Sequence, residues 1–198
     1  MIHITLPDGS VKEFENRVTP YEIAMSISEG LARNVLSAEV DDALWDLHRP
    51  VTSDARVRLL TWNDEKGKKV FWHTSAHLMA EAIEQLYPGV KFGIGPSIEN
   101  GFYYDIDFMD YTISSEDFPK IEAKMMEIVG SKQEIVRSEV SKKDALDFFT
   151  KKGDEYKQEL IRDLEDGSIT FYTSGSFVDL CRGPHLPNMG MIKAVKLM

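Results

Sequence analysis

Two short β-compatible runs, residues 2–6 and 11–14, flank Pro7-Asp8-Gly9-Ser10, and a marked helix start follows them. This arrangement restricts the fold more than any other in the chain. A Pro-Asp-Gly turn between such runs predicts a hairpin. Thr19 can then cap a helix, Pro20 suits its first position, and Glu22, three residues after the cap, completes a capping box. Ile23, Ile27 and Leu31 are expected to form its buried face. Residues 34–40, 43–47 and 57–61 supply further strand-like runs, so residues 1–62 read as a small α+β grasp domain.

The polar, glycine-containing stretch 62–69 lacks any period and is expected to be a linker. A second, larger α+β domain, 63–198, would begin there. Its first helix is expected over residues 71–87, with Ala76, Met79, Ile83 and Leu86 on one side, and Pro88-Gly89 stops it. Strands are expected near 91–95 and 101–108. Helices should start at Ser114, Ser141 and Asp154, followed by a hairpin around Ser174-Gly175 and a last strand near 191–197.

With 198 residues, 42% of them hydrophobic, the chain can bury a core. Its net charge of −10 excludes a protein that coats nucleic acid non-specifically, since that mode needs cations to neutralise phosphates. Local contact with an RNA end stays open. Cys181 is the only cysteine, so no intramolecular disulfide forms and a reducing compartment is expected. The first residues lack the regions of a signal peptide, and no stretch approaches the roughly 18 apolar residues of a membrane span. A cytoplasmic location with no membrane partner follows as the expectation.

Chemistry concentrates in two short motifs. His73 and His77 lie one helical turn apart, about 40° around the axis, and can converge on one atom. Cys181 and His185 have the same spacing, but Gly183 and Pro184 between them predict a loop. One histidine alone is ordinarily a packed or solvated residue. Here three of the five histidines accompany the sole cysteine. Four N and S donors suit tetrahedral zinc; Thr74, where a zinc peptidase would carry its glutamate base, argues against peptidase chemistry. Without metal, the same imidazoles and thiol can orient water and a carbonyl for ester hydrolysis. Asp179 and Arg182 flank the thiol, suited to an ammonium and a phosphate respectively, and equally suited to a structural ion pair.

With His73-Thr74-Ser75-Ala76-His77, the run GIGPSIENGFYYD at 93–105, GDEYK at 153–157 and VDLCRGPHLPN at 178–188, all following a grasp module, the whole chain closely resembles bacterial threonyl-tRNA synthetases. The resemblance implies a ubiquitin-like TGS domain at 1–62. At 63–198 it implies an editing domain, of the second additional domain type shared by threonyl- and alanyl-tRNA synthetases, that hydrolyses seryl-tRNA(Thr) made in error. It places His73, His77, Cys181 and His185 in the editing pocket, has Lys157 and His73 help activate water, and has Asp179 and Tyr104 position the substrate. Arg182 would serve substrate binding.

The sequence ends at Met198, before the family's aminoacylation and anticodon-binding domains, so the expectation is an N-terminal part of a longer ligase. The ATP-magnesium site and the aminoacylation zinc would lie outside it, and this part would need no cofactor of its own. Two alternatives stand beside this reading. Alanyl-tRNA editing domains carry the same pairs and hold zinc, which would make His73, His77, Cys181 and His185 ligands; or the chain is a non-catalytic tRNA-binding or regulatory module. The full-length family is homodimeric, whereas this part is expected to be a monomer.

Overall fold

Alternate burial along the first strands and a satisfied helix start organise the N-terminal residues. A computed structural model describes residues 1–198, which cluster into two units: Met1–Phe71 with Gly183–Pro187, and Trp72–Arg182 with Asn188–Met198. In the first, β1 (Ile2–Thr5) pairs antiparallel with β2 (Val11–Phe14), giving the expected hairpin. Thr19 caps α1 (Pro20–Ile27): its side chain accepts the Glu22 N–H, and Glu22 in turn accepts the Thr19 N–H at 2.7 Å.

The single helix expected through Leu31 is instead two. Ser28 adopts an extended conformation (φ −166°, ψ 148°), and its hydroxyl accepts the Leu31 N–H to start α2 (Glu29–Asn34). A serine that can cap competes with helix continuation. Ile27 therefore turns outward and is exposed, while Ile23 is fully buried. Strands β3 (Val35–Val40), β4 (Ala43–Trp45) and β5 (Ala55–Thr61) complete a sheet of order β2-β1-β5-β3-β4, with β1 and β5 parallel. Ile2, Ile4, Ile23, Ala38 and Val57 form its core. Burying each large aliphatic side chain contributes about 1.5–3 kcal/mol. A helix laid on a mixed five-stranded sheet is the grasp arrangement expected.

Helix α3 (Glu65–Leu86) starts inside the stretch expected to be a linker. Two local contacts explain this. Asp64 accepts the Thr61 N–H on its carboxylate (2.9 Å) and the Lys68 N–H on its backbone carbonyl (2.9 Å), which closes the first turn. Gly67 passes so close to Thr61 that a Cβ would lie 2.2 Å from the Thr61 carbonyl oxygen. The glycine there permits close packing rather than chain flexibility.

In the second unit, α3 continues from Trp72 and is buried nearly all round: Thr74, Ser75, Ala76, His77, Leu78, Ala80, Glu81, Ala82 and Ile83 are all covered. Such a helix is a core element. Leu86, expected on its buried face, is only partly covered. Short ladders follow, β6 (Lys91–Phe92) with β9 (Ile106–Asp107) and β7 (Ser97–Ile98) with β8 (Gly101–Phe102). Ser114 caps a 3-10 turn leading into α4 (Phe118–Ser131), Ser141 caps α5 (Lys142–Lys152), and Asp154 caps α6 (Glu155–Arg162).

Strands β10 (Ile135–Glu139), β11 (Thr170–Ser174) and β12 (Phe177–Leu180) make an antiparallel sheet in that order. Ala145, Phe149, Ile161, Ile169 and Phe171 form a core between this sheet and α5–α6. No strand forms over 191–197, contrary to expectation: a 3-10 turn at Met189–Met191 is followed by irregular chain. The Leu197 N–H donates to Glu122 on α4 rather than to a strand.

Candidate active site

Alternation along β12 turns Phe177 and Asp179 inward, and both are buried. Asp179, 2% exposed, is the hub of a polar network. Its Oδ1 lies 2.6 Å from Lys157 Nζ, its Oδ2 accepts the Tyr104 hydroxyl at 2.5 Å, and His77 Nε2 stands 3.5 Å from Oδ2. Lys157, equally buried, also donates to Tyr104 Oη at 3.2 Å. Three side chains, from α3, the β8–β9 segment and α6, thus meet around the one carboxylate that β12 supplies.

The support beneath Lys157 is Asp154. One of its carboxylate oxygens accepts the Lys157 N–H at 3.1 Å and starts α6; the other accepts the Phe92 N–H at 3.3 Å and ties α6 to β6. Tyr104 is seated by a glycine. Its ring packs so tightly on Gly95 that a Cβ there would approach within 2.3 Å. Phe92 and Phe177 enclose the network, with Phe92 edge-on to Tyr104 (5.5 Å) and Phe177 edge-on to His77 (6.2 Å).

Burial sets the protonation states. Desolvation, reinforced by His73 and Lys157, holds His77 well below the usual histidine range, so its imidazole is neutral at physiological pH. Desolvation and the neighbouring Asp179 push Tyr104 well above the ordinary phenol value, so it remains a donor.

Toward solvent lies the second pair. His73 Nε2 is 3.2 Å from Cys181 Sγ, and the His73 and His77 rings meet edge-on at 5.0 Å. His73 and Cys181 are both partly exposed. Ligand atoms of His73, His77 and Cys181 lie within 4.8 Å of one another, a possible metal site. His185 belongs to the segment Gly183–Pro187 of the first unit, is buried, and donates its backbone N–H to Asp46 Oδ1 at 3.0 Å. Arg182 is exposed; with Cys181, Leu160 and Leu180 it lines a cavity of about 190 Å³. Tyr104 also walls an apolar cleft of about 650 Å³ lined by Trp72, Met79 and Phe102. Asp154 and Gly95 are supports that sequence reasoning missed in this role, although Asp154 was legible as a helix cap.

The arrangement combines a buried carboxylate flanked by donors with a partly exposed imidazole–thiol pair, the equipment for holding a cationic polar substrate beside a proton acceptor. Residues 2–61 match the TGS domain family, and residues 169–198 match the family described as the threonyl and alanyl tRNA synthetase second additional domain. Together the two domains define a chain of the aminoacyl-tRNA synthetase class. Over all its 198 residues the chain is 61% identical to a threonine–tRNA ligase of Cytophaga hutchinsonii, of which it covers 31%. It is 59% identical over its whole length to one of Parabacteroides distasonis, covering 30%. The chain belongs to the threonine–tRNA ligase family and spans about a third of the length of these relatives.

Proposed function

We propose that residues 1–62 and 63–198 act as a TGS module and an editing module, and that the latter hydrolyses the ester of serine on tRNA(Thr). The observation that carries this reading is the Lys157–Asp179–Tyr104–His77 network beside the His73–Cys181 pair, within a chain that carries the second additional domain. Asp179 accepts the α-ammonium of the seryl group, with Tyr104 fixing its orientation. Arg182, at the exposed rim, meets a phosphate of the tRNA end. Water attacks the ester carbonyl as His73, assisted by Lys157, takes its proton. The bond from carbonyl carbon to ribose oxygen breaks, and that oxygen leaves as a hydroxyl. Cys181 and the neutral His77 complete the pocket wall.

Such a site answers a physical need. Serine and threonine differ by one methyl, and discrimination on that group is limited to about 1–3 kcal/mol in a single binding step. A second pocket that admits serine and collides with the threonine methyl multiplies the selection. Single-turnover hydrolysis of seryl-tRNA(Thr) with threonyl-tRNA(Thr) spared supports the proposal. Equal hydrolysis of both removes the steric sieve, and a chain that binds the tRNA without releasing serine is a binding module.

The closeness of His73, His77 and Cys181, whose ligand atoms lie within 4.8 Å of one another, favours one second reading, a zinc-dependent hydrolase. The donor set fits: tetrahedral zinc takes imidazole nitrogen at about 2.0 Å and thiolate at about 2.3 Å. Zinc would supply a bound water of lowered pKa. In that reading the Lys157–Asp179–Tyr104 network still binds the ammonium. Protein purified without chelator and found to hold one zinc, with hydrolysis lost on chelation, supports zinc; zinc-free protein with full activity excludes it.

A further inference from the structure

Thr170 has no part in the reaction above, yet it grips Cys181 by both of its backbone groups. β12 ends at Leu180, which pairs with Phe171 of β11. One step further along, the Cys181 N–H donates to the Thr170 carbonyl at 3.1 Å, and the Thr170 hydroxyl donates to the Cys181 carbonyl. The first bond uses main chain alone, so any residue at 170 can make it. The second needs a side-chain donor, and Thr170 supplies it from a buried position (8% exposed). The grip falls where the strand gives way to the loop that begins with Arg182.

Behind Cys181 the packing is open. The cavity of about 190 Å³ that Cys181 and Thr170 line is walled chiefly by Leu160, Leu164, Ile169 and Leu180, and none of its walls comes from α3, the helix of the two histidines. Cys181 thus borders His73 on one side, with Sγ 3.2 Å from Nε2, and empty space on another. A close-packed wall resists displacement because its atoms have nowhere to go. That resistance is lacking here, and the bonds to Thr170 take its place.

We propose that Thr170 is a positioning residue that sets specificity: its hydroxyl holds Cys181 forward, against His73, as a wall of the pocket that keeps the threonine methyl out. The functional consequence rests on the hydrolytic reading. Without the hydroxyl the Cys181 carbonyl loses a donor, the end of β12 loosens, and Cys181 withdraws toward the cavity. A small withdrawal is enough, since serine and threonine differ by one methyl. Selection on one such group is worth about 10- to 200-fold, which bounds what the grip can govern.

Thr170→Val keeps size and branching but has no hydroxyl, whereas Thr170→Ser keeps the hydroxyl and loses only a methyl. Cys181 is the sole cysteine, so protein labelled with carbon-13 at the cysteine Cβ gives a single signal that reads its surroundings without turnover. Single-turnover hydrolysis of seryl-tRNA(Thr) and threonyl-tRNA(Thr) reads the consequence. In Thr170→Val the cysteine signal should be displaced, and the ratio of seryl to threonyl rates should fall about tenfold or more, within the range that one methyl allows. Thr170→Ser should match wild type in both. A merely structural role lowers the two rates together, and an unchanged ratio in Thr170→Val overturns the proposal. So does a Thr170→Val cysteine signal that stays with those of wild type and Thr170→Ser. A displaced signal with no hydrolysis of either ester by any of the proteins, wild type included, supports the grip on Cys181 and overturns only the hydrolytic reading. Should Thr170→Val fail to fold, Thr170→Ala removes the same hydroxyl and carries the same test.

Discussion

Replacing Asp179 with Asn tests whether the network holds together as a charged unit. The substitution keeps size and an acceptor for the Tyr104 hydroxyl but removes the charge 2.6 Å from Lys157. Both side chains are about 3% exposed, so the Lys157 ammonium would be left in a dry site without a counter-charge. Breaking a buried pair from one side costs about 3–5 kcal/mol. Lys157→Met should cost a similar amount by stranding the carboxylate. The double variant has no buried charge to compensate and should be more stable than either single one, giving a coupling of about 3 kcal/mol or more. Urea denaturation of the four proteins, followed by circular dichroism, measures this cycle. Single-variant costs that add to within about 0.5 kcal/mol would refute the reasoning, because independent sites behave that way.

Leu78 is fully buried on α3 whereas Leu86 is only partly covered, so Leu78→Ala should cost about 2–5 kcal/mol and Leu86→Ala clearly less; thermal unfolding compares them. The Glu81 carboxyl, raised from 4.5 to about 7 by burial, favours the fold while it is protonated. Its contribution is fully present below pH 4.5 and is lost as pH rises through 7. Glu81→Gln should therefore gain stability over wild type across that window, by at most about 3 kcal/mol, read from denaturation midpoints at pH 5 and 8. Gly67→Ala drives a methyl into the Thr61 carbonyl and should cost about 1–3 kcal/mol, while an alanine at exposed Gly130 on α4, with nothing within 4 Å of the added carbon, meets no such clash.

Local signals with a complete physical device were readable from sequence. The Thr19–Pro20–Glu22 box and the hairpin at Pro7-Asp8-Gly9 each specify their own geometry within a few residues. Where a residue can serve two ends, sequence reading failed. Ser28 can continue a helix or cap the next one, and Gly67 can signal a linker or a close approach; only the distant Thr61 backbone decides the latter. Strand β10 escaped notice because residues 135–139 are at most partly covered and alternate weakly, as suits an edge strand. The last strand expected near 191–197 lacked what no sequence window shows, a neighbour to pair with.

The site divides in the same way. His73, His77 and Cys181 were visible through spacing and rarity, and the structure brings them together. Lys157 and Tyr104 entered through family resemblance, since their contact with Asp179 spans 22 and 75 positions. Glu81 looked like one more acidic residue on a helix in a chain of net charge −10. Ala80 and Ala82, which point about 100° to either side of it, were the available signal that the helix is covered on more than one side.

The central claim is that the constellation performs chemistry rather than supporting the fold, and one comparison tests it most directly. Wild type and His73→Ala are given seryl-tRNA(Thr) and threonyl-tRNA(Thr) under single-turnover conditions, with the unfolding midpoint of each protein recorded. The account predicts that wild type releases serine and spares threonine, and that His73→Ala loses about 100-fold or more in rate, the scale of a positioned acid or base, while unfolding at nearly the wild-type midpoint. A His73→Ala protein that unfolds early yet keeps its rate would contradict the account.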